Sequence, residues 1–189
     1  MRILIVDDES LIRMDLRDIL ESEQHEVVGE ASNGVEAITM CKELKPDAVL
    51  MDVKMPKLDG IEAARQIGFN HLAPVVLLTS YSQQDLVTKA RESGVYGYLI
   101  KPVREAQLIP TLEMACGRFL DDLESRQQMA DLEKTLEERK IIQKATGILM
   151  DLYKITEDES YNRIRQLSMK KRESIVNICK LIIQQASSN

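Results

Sequence analysis

Tryptophan is absent from this 189-residue chain, and two phenylalanines and five tyrosines are its only aromatics. That scarcity argues against an aromatic base-stacking platform. Cysteine is sparse as well: Cys41, Cys116 and Cys179 lie far apart and form no C-x-x-C pair. A disulfide framework or a cysteine metal site is therefore not expected, and a reducing cytoplasm fits. The two histidines, His25 and His71, sit in no recognisable ligand motif. No apolar run approaches the roughly 18 residues that a membrane span requires. No basic, then apolar, then small-residue leader opens the chain. The expectation is a soluble, cytoplasmic protein with no membrane partner.

What is present is enough apolar material for a core, and an uneven spread of charge. Apolar residues make up 44% of the chain, too many for a disordered protein. The length suits one full domain and a smaller second one. Residues 1–120 carry a net charge of −6, residues 121–136 one of −3, and residues 137–189 one of +3. A basic tail behind an acidic front suggests a polyanionic partner, although a solvated helical surface would look the same.

Apolar runs of strand length recur at "RILIV" (2–6), "VVGEA" (27–31), "DAVLM" (47–51), "VVLL" (75–78) and "YLI" (98–100). Helical patterns separate them. "LIRMDLRDIL" is the first, with Ser10 placed to cap it. "GVEAITMCKEL", stopped by Pro46, "IEAARQI", "QQDLVTKARES" and "REAQLIPTLEMA" follow. Strand and helix alternating five times predict an α/β fold: a parallel sheet with helices on both faces.

Three carboxylates fall at strand ends. Asp7 and Asp8 follow the first strand, and Asp52 follows the third. Ligands of a doubly wound sheet gather at that edge. Clustered carboxylates repel unless a hard cation binds, and Mg²⁺ takes such oxygens in an octahedral shell that keeps several waters. Thr79 ends the fourth strand, and Lys101 ends the fifth, just before Pro102. This set suits phosphoryl transfer onto Asp52 as the nucleophile. The metal and Lys101 would neutralise the phosphoryl oxygens, and Thr79 would hydrogen-bond one of them.

The stretches "ILIVDDES", "AVLMDVKMPKLDGIEAAR", "VVLLTSYS" and "GYLIKPV" resemble the receiver domain of two-component response regulators. The resemblance implies a five-stranded, flavodoxin-like sheet of order 2-1-3-4-5 over residues 1–118. Carried over by position, Asp52 is the phosphoacceptor. Asp7, Asp8, Asp52 and the backbone carbonyl of Lys54 hold Mg²⁺. Thr79, Tyr98 and Lys101 are the switch residues, and Gly60 belongs to the loop that shapes the site. A sensor histidine kinase is the implied phosphate donor. No catalytic constellation is visible elsewhere, so no enzyme is expected beyond the receiver's own aspartyl phosphorylation and dephosphorylation.

After Pro110 the pattern changes. Ile109, Leu112, Cys116, Phe119 and Leu123 step by three and four, as in a heptad seam. The seam slips, then resumes at Met129, Leu132 and Leu136, and again at Ile142, Ala145, Leu149 and Leu152. One long helix is predicted, with a coiled-coil linker over 119–136. Pairing with a second chain through Leu112, Cys116, Phe119 and Leu123 is favoured over packing on the helix's own domain. Further on, "TEDE" is a capping box, with Thr156 as cap and Glu159 reaching back. It opens a helix with Tyr161, Ile164 and Leu167 on one face. Ile175, Ile178, Cys179 and Ile182 stripe the last helix.

"ERKIIQKATGILMDLYKITEDESYNRIRQLSMKKRESIVNICKLII" is similar to the ANTAR domain, an RNA-binding antiterminator module placed here at 137–189. Thr146 stands where that family usually has lysine, and Ser160 and Cys179 stand for alanines. Taken whole, the chain is similar to the ANTAR response regulators of ethanolamine utilisation. The resemblance implies a regulator that dimerises on phosphorylation and binds hairpin-containing leader RNA to promote antitermination. Candidate RNA contacts are Lys144, Lys154, Arg165, Lys170, Lys171 and Arg172, each of which ordinary helix solubility would also explain. Gly147, inside a helix, calls for close approach by another helix or by RNA. A DNA-binding regulator is the alternative, since the turn at Lys154–Ile155 has a compatible length.

Overall fold

The computed structural model describes residues 1–80 and 94–187. The expected helix "QQDLVTKARES" lies outside the described residues. The chain divides into two compact units, Met1–Leu123 and Glu124–Asn189.

The first unit holds five strands: β1 (Arg2–Val6), β2 (Glu26–Ala31), β3 (Ala48–Asp52), β4 (Val75–Thr79) and β5 (Gly97–Ile100). All pair in parallel, in the order β2-β1-β3-β4-β5. Helices α1 (Ser10–Ser22), α2 (Gly34–Leu44) and α3 (Gly60–Phe69) connect them, and α4 (Glu105–Tyr153) follows β5. The two-residue period of a strand sends alternate side chains to opposite faces. Leu4, Val6, Val49, Met51, Val75 and Leu77 form a core with residues of α2 and α3. Ile3, Ile5, Leu50, Val76 and Leu78 form a second core with Leu16 and Leu20 of α1 and Leu108, Leu112 and Ala115 of α4. The inner strands β3 and β4 are buried throughout, whereas the edge strands β2 and β5 are only partly buried. That is why the inner strands read as unbroken apolar runs.

Two expectations need correction here. Ser10 is the first helical residue of α1, not its cap; Glu9 holds the cap position, and no side chain bonds there. By contrast, Asn33 and Asp59 cap α2 and α3 by accepting hydrogen bonds from the Glu36 and Glu62 amides. The second correction concerns the heptad seam. Leu112 is fully buried in the core of its own sheet, and Cys116 packs against that core. Phe119 meets Tyr96 edge-on at 5.3 Å between ring centroids. A three-and-four spacing serves a helix on a sheet as well as a helix on a helix. These side chains therefore serve intramolecular packing. The exposed large hydrophobic residues of α4 are instead Met114, Leu120, Met129, Leu132, Leu136, Leu152 and Tyr153.

The second unit contains the rest of α4, then α5 (Glu157–Lys171) and α6 (Ile175–Ser187). α4 is continuous through Pro110 to Tyr153. Lys154 then adopts a left-handed φ of 53°. The capping box follows as read: the Glu159 amide donates to Thr156, and the Glu159 carboxylate accepts from the Thr156 amide. The core is small: Ala145, Leu149, Ile164, Ile178 and Cys179, with isoleucines 141, 142, 175, 182 and 183 around them. On α5 the buried positions are Ser160 and Ile164, while Tyr161 and Leu167 stay exposed, so the expected Tyr161–Ile164–Leu167 face is rotated. Gly147 also differs from expectation: a Cβ there would meet nothing within 4 Å. Among the described residues, no helix packing requires that glycine.

Candidate functional site

Parallel strands end side by side, so residues distant in sequence meet at their carboxyl ends. Asp7 follows β1, Asp52 and Thr79 end β3 and β4, and Lys101 follows β5. All four are largely buried. The Lys101 ammonium lies 2.6 Å from Asp7 Oδ2 and 2.5 Å from Asp52 Oδ1. The other oxygens of both carboxylates are also engaged. Asp7 Oδ1 accepts from the Glu9 amide at 3.0 Å, and Asp52 Oδ2 accepts from the Lys54 amide at 2.8 Å. Arg13 donates to the Asp7 carbonyl at 2.7 Å. The Lys101 amide donates to the Thr79 carbonyl at 2.8 Å, tying β5 to β4 beside the site.

Gly60 explains how the loop after β3 closes. Its amide donates to the Val53 carbonyl at 2.9 Å, and a Cβ on Gly60 would collide with the Asp52 carbonyl. Only glycine allows that approach of helix to strand end.

A cleft of about 250 Å³ opens here, lined by Asp8, Glu9, Asp52, Val53, Lys54, Thr79, Ser80 and Lys101. Asp8 is exposed at its mouth. Burial holds the Asp52 carboxyl above its ordinary pKa, against the hydrogen bond and charge of Lys101, and the charge of Asp7 pushes the same way as burial. For Lys101 burial opposes the charge, but the bonds to Asp52 and Asp7 outweigh it and hold the ammonium above its ordinary value. Among the described residues no three His, Cys, Asp or Glu side chains close into a ready cage. A hard octahedral cation needs only one or two carboxylates and keeps its waters, so hard oxygens at the rim of an open cleft fit Mg²⁺.

Tyr98 stands apart from the cleft. It is 48% exposed and lines a separate hollow with Gln107, Pro110 and Thr111. Glu9 and Ser80 reach the cleft unforeseen; the acid run "DDE" was the available signal for Glu9.

The six basic candidates of the tail are all exposed, but they do not share a face. Lys144 borders a groove of about 350 Å³ between α4 and α6, with Lys140, Lys180, Ile141 and Ile183. Lys154 is in the left-handed turn. At 100° per residue, Arg165 falls on the Tyr161 flank of α5, and Lys170 on the opposite flank with Arg163 and Leu167. Lys170 and Lys171 occupy the last turn of α5, where cations also satisfy the helix dipole, and Arg172 is its left-handed C-cap. Lys140, Arg163 and Lys180 were not foreseen. The four-residue spacing of Lys140 and Lys144 was a usable signal; nothing in the sequence pointed to Lys180.

Comparison with known proteins closes the question of family. The response regulator receiver domain matches residues 3–113, and the ANTAR domain matches residues 130–183. The chain belongs to the ANTAR response regulators. The "Transcriptional regulatory protein PdtaR" of Mycobacterium tuberculosis is 41% identical over 183 residues, covering 97% of this chain and 89% of that protein. Among solved structures, the signal receiver domain of a modulated diguanylate cyclase from Desulfovibrio desulfuricans G20 matches with a TM-score of 0.59 and 33% identity. It covers 64% of this chain and 97% of that one. The receiver domain of sensor histidine kinase PA1611 from Pseudomonas aeruginosa PAO1 matches with a TM-score of 0.55 and 28% identity, covering 61% and 97%. That structure has a magnesium ion coordinated in its active-site cleft. The ANTAR response regulators are regulatory rather than catalytic proteins, and no described helix of this one is long and apolar enough to cross a membrane.

Proposed function

We propose that this response regulator accepts a phosphoryl group on Asp52 and, in that form, binds hairpin-containing leader RNA to promote antitermination. The observation that carries the first half is the lysine-bridged pair Asp7–Lys101–Asp52 at the floor of an open cleft. An Asp52 oxygen attacks phosphorus, and the donor's bond to phosphorus breaks. With a sensor histidine kinase as donor, the leaving group is its imidazole. Lys101 is already placed against Asp52 and can follow the phosphoryl oxygens as they arrive. Asp7, Asp8, Asp52 and the Lys54 carbonyl would hold Mg²⁺. When bound, the ion neutralises oxygen charge on the transferring group. Thr79, at the end of β4, supplies a hydroxyl to the new phosphate, and Tyr98 repacks on the outer face.

The domains follow as a receiver over 1–118, a helical linker over 119–136 and the RNA-binding tail over 137–189. Phosphorylation drives a cytoplasmic homodimer. Burial of Leu112 and the packing of Cys116 and Phe119 leave exposed apolar residues of α4, Leu120, Met129, Leu132 and Leu136 among them, available for pairing. The ANTAR match and the excess of cations in the tail support an RNA ligand.

The test is intact-mass spectrometry after incubation with acetyl phosphate and Mg²⁺. Wild type should gain one phosphoryl group and Asp52→Asn none. Full incorporation in the variant would move the acceptor elsewhere. A gel shift then separates the RNA and DNA readings: a duplex DNA that binds as tightly as an RNA hairpin would end the RNA reading.

A further inference from the structure

We propose that Tyr153 and Arg163 form a seat for a single unpaired nucleobase of the bound RNA, an inference that rests on the RNA-binding reading above. The second unit has only two aromatic residues, Tyr153 and Tyr161, and neither belongs to its core of small and aliphatic side chains. Tyr153 is the last residue of α4 and is 58% exposed. A buried ring would stabilise so small a core; this one is left in solvent.

Its position is nonetheless fixed. Lys154 turns the chain in the left-handed region, and the Thr156–Glu159 capping box pins the start of α5. α5 then brings Arg163 back over the ring, with Cζ 5.1 Å from the centroid. Arg163 makes no ion pair among the described residues. Its guanidinium is thus held by the ring while its N–H groups stay available. A cation on an aromatic face gains modestly at an exposed site, so the pair is ordered without being closed.

Flat partners are what such a pair can accept. Bases in RNA loops stack on aromatic rings and on guanidinium planes, and offer edges to hydrogen-bond donors. The bases of a duplex stem are already stacked and cannot enter. Lys154, the next residue and itself exposed, adds a cation for the adjoining phosphate. The scarcity of aromatics excludes a multi-ring platform, but one base needs one ring and one guanidinium. The seat also differs in kind from the lysines of the α4–α6 groove, whose charge would meet phosphates of any sequence.

The test uses the full chain treated with acetyl phosphate and a pool of RNA hairpins sharing one stem and a randomised loop. Two controls are the same stem with an abasic loop and the stem as a plain duplex. Tyr153→Phe should bind the pool like wild type, because the ring remains. Tyr153→Leu should lose roughly 5- to 150-fold, the usual cost of losing one stacked base. Arg163→Lys should lose part of that, since charge is kept but the plane is not. Neither variant should change the salt dependence or the melting temperature appreciably. Wild type on the abasic loop should fall to the level of Tyr153→Leu on the pool. The proposal is overturned if Tyr153→Leu keeps wild-type affinity, or if the abasic loop binds as well as the intact one. If wild type itself binds hairpins no better than the duplex stem, the hairpin-binding reading fails and the seat falls with it. A hairpin preference that survives in Tyr153→Leu removes the seat alone.

Discussion

In the first unit, one ammonium touches two carboxylates, the three groups brought together from three strand ends. In the second, Lys144, Arg165 and Lys170 stand on three different faces. The contrast is between a site made by topology and a surface made by composition. Parallel strands deliver their last residues to one edge whatever the loops between them do. Helix surfaces carry no such rule, since cations serve solubility, helix ends and ligands alike. A convergent site in this chain is therefore a stronger functional statement than a count of lysines.

The largest expected effect separates the two uses of α4. Leu112→Ala should destabilise the first unit by about 2–5 kcal/mol, the usual range for truncating a buried leucine. Leu132→Ala, at an exposed position, should change monomer stability by less than about 0.5 kcal/mol while weakening dimer formation. Urea unfolding and light scattering read the two effects. Equal stability loss in both variants would erase the distinction drawn within α4.

The glycines sharpen the same comparison at lower energy. Gly60→Ala should cost about 3 kcal/mol, because its Cβ has no room beside the Asp52 carbonyl. Gly147→Ala should stabilise the tail by about 1 kcal/mol, because its Cβ meets open space inside a helix. If Gly147→Ala is more stable yet binds RNA worse, the open space belongs to the ligand.

A subtler effect is electrostatic. Burial raises the Asp52 pKa despite Lys101. The folded state therefore binds that proton more tightly than the unfolded chain does. The ionised carboxylate costs stability at neutral pH, and the cost disappears as pH falls through the folded value and below the unfolded one. Asp52→Asn should raise Tm at neutral pH, with Lys101 still paired to Asp7, and the gap should close in acid. A gap that widens in acid would reverse the sign of this argument.

How much of this was legible follows the same division. The strand positions and the meeting of Asp7, Asp52 and Lys101 could be read, because apolar runs followed by acid, hydroxyl or lysine identify strand ends, whereas the sheet order followed from the family resemblance alone. Ser10 was misread because a serine just before an apolar helix suits either the cap or the first turn. The Leu112 stripe was misread because helices on sheets and helices on helices share one spacing. The apolar Tyr161, Ile164 and Leu167 suggest one face of α5, yet only Ile164 of the three is buried, paired with Ser160 four residues before it. The Tyr153–Arg163 contact was out of reach, since it depends on the angle at which α5 leaves a three-residue turn.

The central claim is that the state of Asp52 controls what the tail holds. Hairpin RNA affinity of the full chain should be measured with and without beryllofluoride and Mg²⁺, in wild type and in Asp52→Asn. The account predicts tighter binding and a dimer mass in treated wild type, with no response in the variant. Equal affinity and unchanged mass in treated and untreated wild type would contradict it.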